Sequence, residues 1–187
     1  MTDDELAQLL AVACAAEDEP ADPDERVQRL EDRRRIVELL IEYGLREDAS
    51  RWDELLDLCT DDVERVLAGS LDERVTGKEA LRAVLLAPVM PRKSGVGAAP
   101  PPEQVLAYEV RHLIDQPVVR VHGDTATVVA SYSLLATTGD GATFRRGRHE
   151  GGYVFELRRG GPRGWLISRM LIITENARNP LFNREAS

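Results

Sequence analysis

Asp48, His112 and Tyr43 are the residues of this chain whose types and positions could carry acid–base chemistry. A carboxylate that holds one nitrogen of an imidazole leaves the other free to take a proton from a bound molecule, and a tyrosine hydroxyl can donate to the oxygen where charge collects. Asp48 stands out through its place in IVELLIEYGLREDASRWDELLDLCTDDVE, residues 36–64. On a helical period Val37, Leu40, Ile41, Gly44 and Leu45 form an apolar stripe, and that stripe runs on to position 48. An acid there points toward the core, at a helix end whose carbonyls disfavour a carboxylate by roughly 0.3–1 kcal/mol. Ser50, with Asp53 three residues on, already reads as the cap of the next helix, so capping does not require Asp48.

For His112 the residues alone leave two readings open: a partner of Asp48, or a core histidine bonded to a helix-end carbonyl. Tyr43 lies on the apolar face, and packing with the hydroxyl at a polar rim accounts for it as well as donation to a substrate does. His149 shares strand parity with Tyr153 and Phe155 and could reach the concave face of a sheet, unless the glycines at 151 and 152 bulge and reverse that parity. His122, beside a Gly-Asp turn, is expected at the surface. No His-x-His or Cys-x-x-Cys spacing occurs, so no metal site is expected.

These residues must be positioned by a chain of 187 residues with 43% hydrophobic and 30% charged content, enough for one domain with a sizeable core. No apolar run approaches the roughly 20 residues of a membrane-spanning helix. The acidic start and the two cysteines, Cys14 and Cys59, point to a cytoplasmic protein with reduced thiols. A net charge of −9 makes nucleic acid and anionic membranes poor partners despite the basic RRGR at 145–148.

Helical spacing marks residues 3–16, then about 23–47, about 50–59, and a stretch from Gly77 stopped by Pro88 and Pro91. Residues 62–69 alternate like a strand, and residues 88–104, rich in Pro and Gly, read as a long loop that could serve as a lid. Thereafter the period is two, in stretches beginning near 105, 117, 124, 142 and 164, the last four separated by Gly-containing turns. Helices followed by a meandering sheet give an α+β fold, with an extension at 1–24, a domain at 25–175 and a tail at 176–187. Aliphatics, Val128, Leu134, Leu171 and Ile173 among them, are expected to line the pocket. The other sheet face, rich in Val, Leu and Ile over 118–136 and 165–173, is expected to need a partner, hence a homodimer.

YGLREDASRWDELLDLCTDDVE, GKEALRAVL, the RH of YEVRHLIDQPVVRVHGDTATV and GWLISRM together resemble the nuclear-transport-factor-2-like superfamily, in its SnoaL-like branch of scytalone dehydratase, hexachlorocyclohexane dehydrochlorinase and bile-acid dehydratase. The resemblance covers roughly residues 30–175 and implies a cone-like α+β barrel with N-terminal helices packed on a curved mixed or antiparallel sheet. It places a catalytic aspartate at Asp48, a catalytic histidine at His112 and a functional tyrosine at Tyr43, and it implies chemistry without a cofactor. The implied activity is that of a lyase or isomerase on a hydrophobic cyclic, polyketide-like or steroid-like molecule. Candidate substrate contacts are His149, Tyr132, Arg169 and Met170. The arginine that relatives use for the leaving group is replaced by Met170, and Arg169 would face the opposite side of a regular strand. The superfamily also holds non-catalytic modules such as dioxygenase small subunits, which is the alternative reading.

Overall fold

The computed structural model describes residues 20–68, 73–86, 107–139 and 144–174, together with Ala7, Ala11 and Ala15. The expected N-terminal helix, the 88–104 loop and the 176–187 tail otherwise lie outside the described residues. Asp22 opens helix α1 (Pro23–Asp48), its side chain accepting from the Asp24 amide at 3.0 Å while Pro23 presets the first helical φ. Ile36, Leu39, Leu40, Tyr43 and Gly44 are its buried face.

The end of α1 differs from the expectation. The Ser50 amide donates to the Glu47 carbonyl at 3.0 Å and the Arg51 amide to the Arg46 carbonyl at 2.9 Å. Ser50 itself has φ 54°. This is a Schellman ending with serine where glycine usually stands, so Ser50 closes α1 instead of capping the next helix. Asp53, its expected capping companion, accepts from Arg82 Nε at 2.9 Å. A Cβ in the left-handed region is strained, so Ser50→Gly is expected to stabilise the fold by about 0.5–1 kcal/mol. A chemical-denaturation midpoint that failed to rise would show that the Ser50 side chain has another role.

After the Schellman turn come α2 (Trp52–Leu56), β1 (Cys59–Ala68), β2 (Glu73–Thr76) and α3 (Lys78–Leu86). Helix α2 is shorter than expected, β1 starts earlier, and β2 is a strand that the period did not reveal. Strands β3 (Ala107–His122), β4 (Thr125–Gly139), β5 (Phe144–Arg159) and β6 (Trp165–Thr174) complete the chain. β3 is one strand where two were expected, irregular between Asp115 and Val118, with Gln116 at φ 53°.

The fold is α+β: helices followed by a six-stranded sheet in the order β2-β1-β6-β5-β4-β3. β1 and β6 run parallel and the other pairs antiparallel, so the sheet is mixed and not closed, with the helices before it as expected. Arg65, Met170, Phe155, Val128 and Val119 form one cross-strand row. All but Arg65 belong to the core cluster shared with α1. The neighbouring row, Val66, Leu171, Val154 and Val129, belongs to a separate cluster on the opposite face. That outer cluster is buried within a single chain, and on the same face the Ala15 carbonyl accepts from Arg120 Nε at 2.9 Å. Among the described residues of that face, Leu113, Val118 and Leu135 at the β3–β4 end are exposed.

A buried carboxylate fastens α1 to the β5–β6 hairpin. Asp32 accepts from Arg159 Nη1 and Nη2 at 3.0 and 2.9 Å, from Trp165 Nε1 at 2.9 Å and from Gln28 Nε2 at 3.2 Å. The Arg159 guanidinium also lies 4.5 Å over the Trp165 ring.

Candidate active site

The Schellman turn leaves Asp48 as the last residue of α1, against β3. Because β3 is an edge strand, some of its amides have no strand partner. Asp48 Oδ1 meets one of them, accepting from the His112 amide at 2.8 Å, and the same oxygen lies 2.7 Å from His112 Nδ1. A carboxylate only accepts, so the ring carries its proton on Nδ1. Gly44 of α1 faces His112 of β3, where a Cβ would make ordinary van der Waals contact, 3.8 Å from the histidine Cβ and carbonyl oxygen. On the far side of the ring, His112 Nε2 is 3.6 Å from Glu47 Oε2. The imidazole thus stands between two carboxylates, with one nitrogen engaged and the other facing a charge beyond hydrogen-bond distance.

Tyr43 lies one helical turn before Glu47 and heads a buried aromatic group. Its ring meets Phe155 edge-on at 5.7 Å and Tyr153 at 6.5 Å, and Tyr132 lies 4.6 Å from Tyr153. Tyr132 folds flat over Gly151, where a Cβ would come within 2.6 Å of its ring. Burial first, and then the facing charge of Glu47, push the Tyr43 and Tyr153 hydroxyls well above the ordinary phenol range, while Arg65 pulls the other way. Both tyrosines remain neutral donors at physiological pH. Burial also pushes the Cys59 thiol up to about 12, so it is no nucleophile.

Of the expected substrate contacts, Tyr132 and Met170 lie on the face toward α1 with Tyr43. Arg169 does not. Its Nε is 2.8 Å from Glu64 and its Nη1 3.0 Å from Glu156, in the row that faces away from α1. Leu171 and Ile173, expected in the pocket, also lie on that outer face. The cause is an irregularity in β6: Leu157 pairs with Ile167 but Glu156 with Arg169, so Ser168 is an extra residue and every side chain after it changes face. Its hydroxyl donates to the Glu156 carbonyl at 3.0 Å.

The register of β5 runs unbroken through Gly151 and Gly152, so parity is kept there, and His149 pairs with Leu134, the partner of His112. The side chain of His149 lies outside what is described. A groove of about 690 Å³ lined by Arg33, Arg34, Val37, Glu38 and residues 117–120 includes none of the Asp48 group. Among the described residues no three His, Cys, Asp or Glu gather as metal ligands would, and no helix is long and apolar enough to cross a membrane.

Glu47 and Arg65 were not singled out from the sequence. Arg65 carried a signal of the kind that marked Asp48, a charge on the apolar parity of a strand, between the buried Val63 and Leu67.

Residues 28–171 match the model of the SnoaL-like domain, and the chain belongs to that family. Solved structures agree in fold. An NTF2-like protein with a cystatin-like fold from Novosphingobium aromaticivorans is 23% identical at a TM-score of 0.61, over 86% of this chain and 93% of that one. A candidate scytalone dehydratase from the same species is 18% identical at 0.56, over 85% and 93%. The beta subunit of benzoate 1,2-dioxygenase from Burkholderia mallei is 15% identical at 0.58, over 75% and 89%. Among curated proteins no sequence matches significantly.

Proposed function

We propose that the protein is a cofactor-independent lyase or isomerase acting on a hydrophobic cyclic, polyketide-like or steroid-like small molecule, with His112 as general base, Asp48 as its orienting partner and Tyr43 as hydrogen-bond donor. The observation that carries this reading is the 2.7 Å contact between Asp48 Oδ1 and His112 Nδ1 beside a row of apolar and aromatic side chains. With Nδ1 held, Nε2 can take a proton from carbon beside a carbonyl, and the nearby Glu47 charge favours the imidazolium that results. In an elimination, the C–H electron pair becomes the new double bond while hydroxide leaves and recovers the proton as water. In an isomerisation the proton returns to another carbon. The fold-level likeness to a candidate dehydratase supports the first outcome.

A second reading, a binding module without chemistry, draws support from the likeness to a dioxygenase beta subunit. The two differ in one experiment. Beta-tetralone, a decalone and a steroid ketone are incubated with the protein in heavy water, and exchange of the protons beside the carbonyl is followed by NMR. Exchange faster than in buffer supports the base, and the buffer rate for all three removes it.

A further inference from the structure

Arg65 Nη1 is a buried nitrogen with no hydrogen-bond partner. Its ion pair with Glu73 Oε1 spans 3.6 Å, beyond hydrogen-bond length. The side chain is only 12% exposed, and its position on β1 shares the core-facing parity of Val63 and Leu67. It is in cross-strand register with Met170, which pairs with Phe155, and Phe155 packs against both Tyr43 and Tyr153. A buried guanidinium N–H that faces a carboxylate only beyond hydrogen-bond distance is stabilised when a ligand supplies a closer acceptor.

We propose that Arg65 is the oxyanion-binding residue of this site, and that the molecule it takes is a planar, conjugated cyclic compound bearing an acidic oxygen, as in an enolate or an ionised phenol. The inference deepens the acid–base reading by naming the substrate class: proton abstraction at His112 would leave its charge on the oxygen held by Arg65. The Tyr153 hydroxyl, neutral and subject to the same positive charge, is a further donor for that oxygen. Glu73, on the short strand beside β1, faces that same Nη1 as its counter-charge but stays too far for a hydrogen bond.

The probe is para-nitrophenol, whose ionised and neutral forms absorb differently, titrated against the full chain at several pH values. The wild type is expected to bind the ionised form at least about tenfold more tightly than the neutral one. Arg65→Met is expected to lose that preference, weakening phenolate binding by about 10²-fold, while melting no lower than the wild type, because an isosteric apolar side chain removes a buried charge. Glu73→Gln is expected to keep the preference. Should Arg65→Met fail to fold, Arg65→Lys decides: a point charge without the planar fork should keep the sign of the preference and reduce its size. Absence of phenolate binding in the wild type, or an undiminished preference in Arg65→Met or Arg65→Lys, overturns the proposal. His112→Ala is expected to bind phenolate normally, so loss of the base and loss of the oxyanion site are read separately.

Discussion

His112→Ala is expected to slow the proton exchange of the cyclic ketones by about 10²–10⁴-fold, the usual contribution of a positioned general base, while lowering stability by no more than about 1–2 kcal/mol. The separation follows from the geometry at Asp48 Oδ1. With the ring gone, that oxygen still accepts from the residue 112 amide, so the tie between α1 and the edge of β3 survives. Asp48→Ala behaves differently, because it removes both bonds at once and leaves an amide without its partner, at about 1–3 kcal/mol. Asp48→Asn keeps an acceptor for the amide and loses the charge beside the ring, so its activity should fall further than its stability. Thermal melts alongside exchange rates for the three variants check the pattern. Equal losses of stability and rate in His112→Ala would make His112 a core residue.

The largest expected loss of stability belongs to Asp32→Ala, about 2–4 kcal/mol, measured by denaturant unfolding. Removing one partner of a buried ion pair costs about 3–5 kcal/mol when the other charge stays buried. The lower range applies here because the Arg159 side chain is 35% exposed and can turn to solvent. Trp165 Nε1 has no such escape. Burial alone raises the Asp32 carboxyl, and the hydrogen bonds from Arg159, Trp165 and Gln28 outweigh it and hold the group below its ordinary value of 3.8. A carboxylate whose folded value is depressed contributes stability above its unfolded value and loses it as pH falls through the folded one. Acid unfolding of the wild type should therefore steepen below about pH 4, and Asp32→Asn should flatten that limb. An unchanged acid limb in Asp32→Asn would place the acid sensitivity in other carboxylates.

What the sequence made legible divides along physical lines. Asp48 was visible because an acid on an apolar helical stripe violates a pattern with many repeats. His112 has no such signature, since a lone histidine on a strand fits a core equally well, and its pairing with Asp48 emerged only through family resemblance. Glu47 was hidden by its neighbour: in a run of charged residues at a helix end, nothing local says which carboxylate turns inward. Arg65 broke the alternation of β1, but long charged side chains on strands so often reach solvent that the break carried little weight. Ser50 was misread because Ser-x-x-Asp suits a helix start, while the left-handed conformation that closes α1 leaves no mark on a serine. Leu171 and Ile173 were assigned to the wrong face because counting by twos from Trp165 fails at the extra residue Ser168, a register event set by pairing with β5. The α+β fold was readable, but two details of the sheet were not: the parallel contact of β1 with β6 joins strands far apart in the chain, and four-residue β2 is too short to show a period.

The central claim, that Asp48 fixes the His112 ring so that Nε2 can act as a base, is tested most directly by the long-range proton–nitrogen NMR spectrum of protein carrying isotope-labelled histidine, recorded where the imidazole holds one proton. The account predicts that the His112 proton resides on Nδ1, hydrogen-bonded to Asp48, and that Asp48→Asn shifts the ring toward the Nε2-protonated form. A wild-type ring protonated on Nε2 with a bare Nδ1 would contradict it.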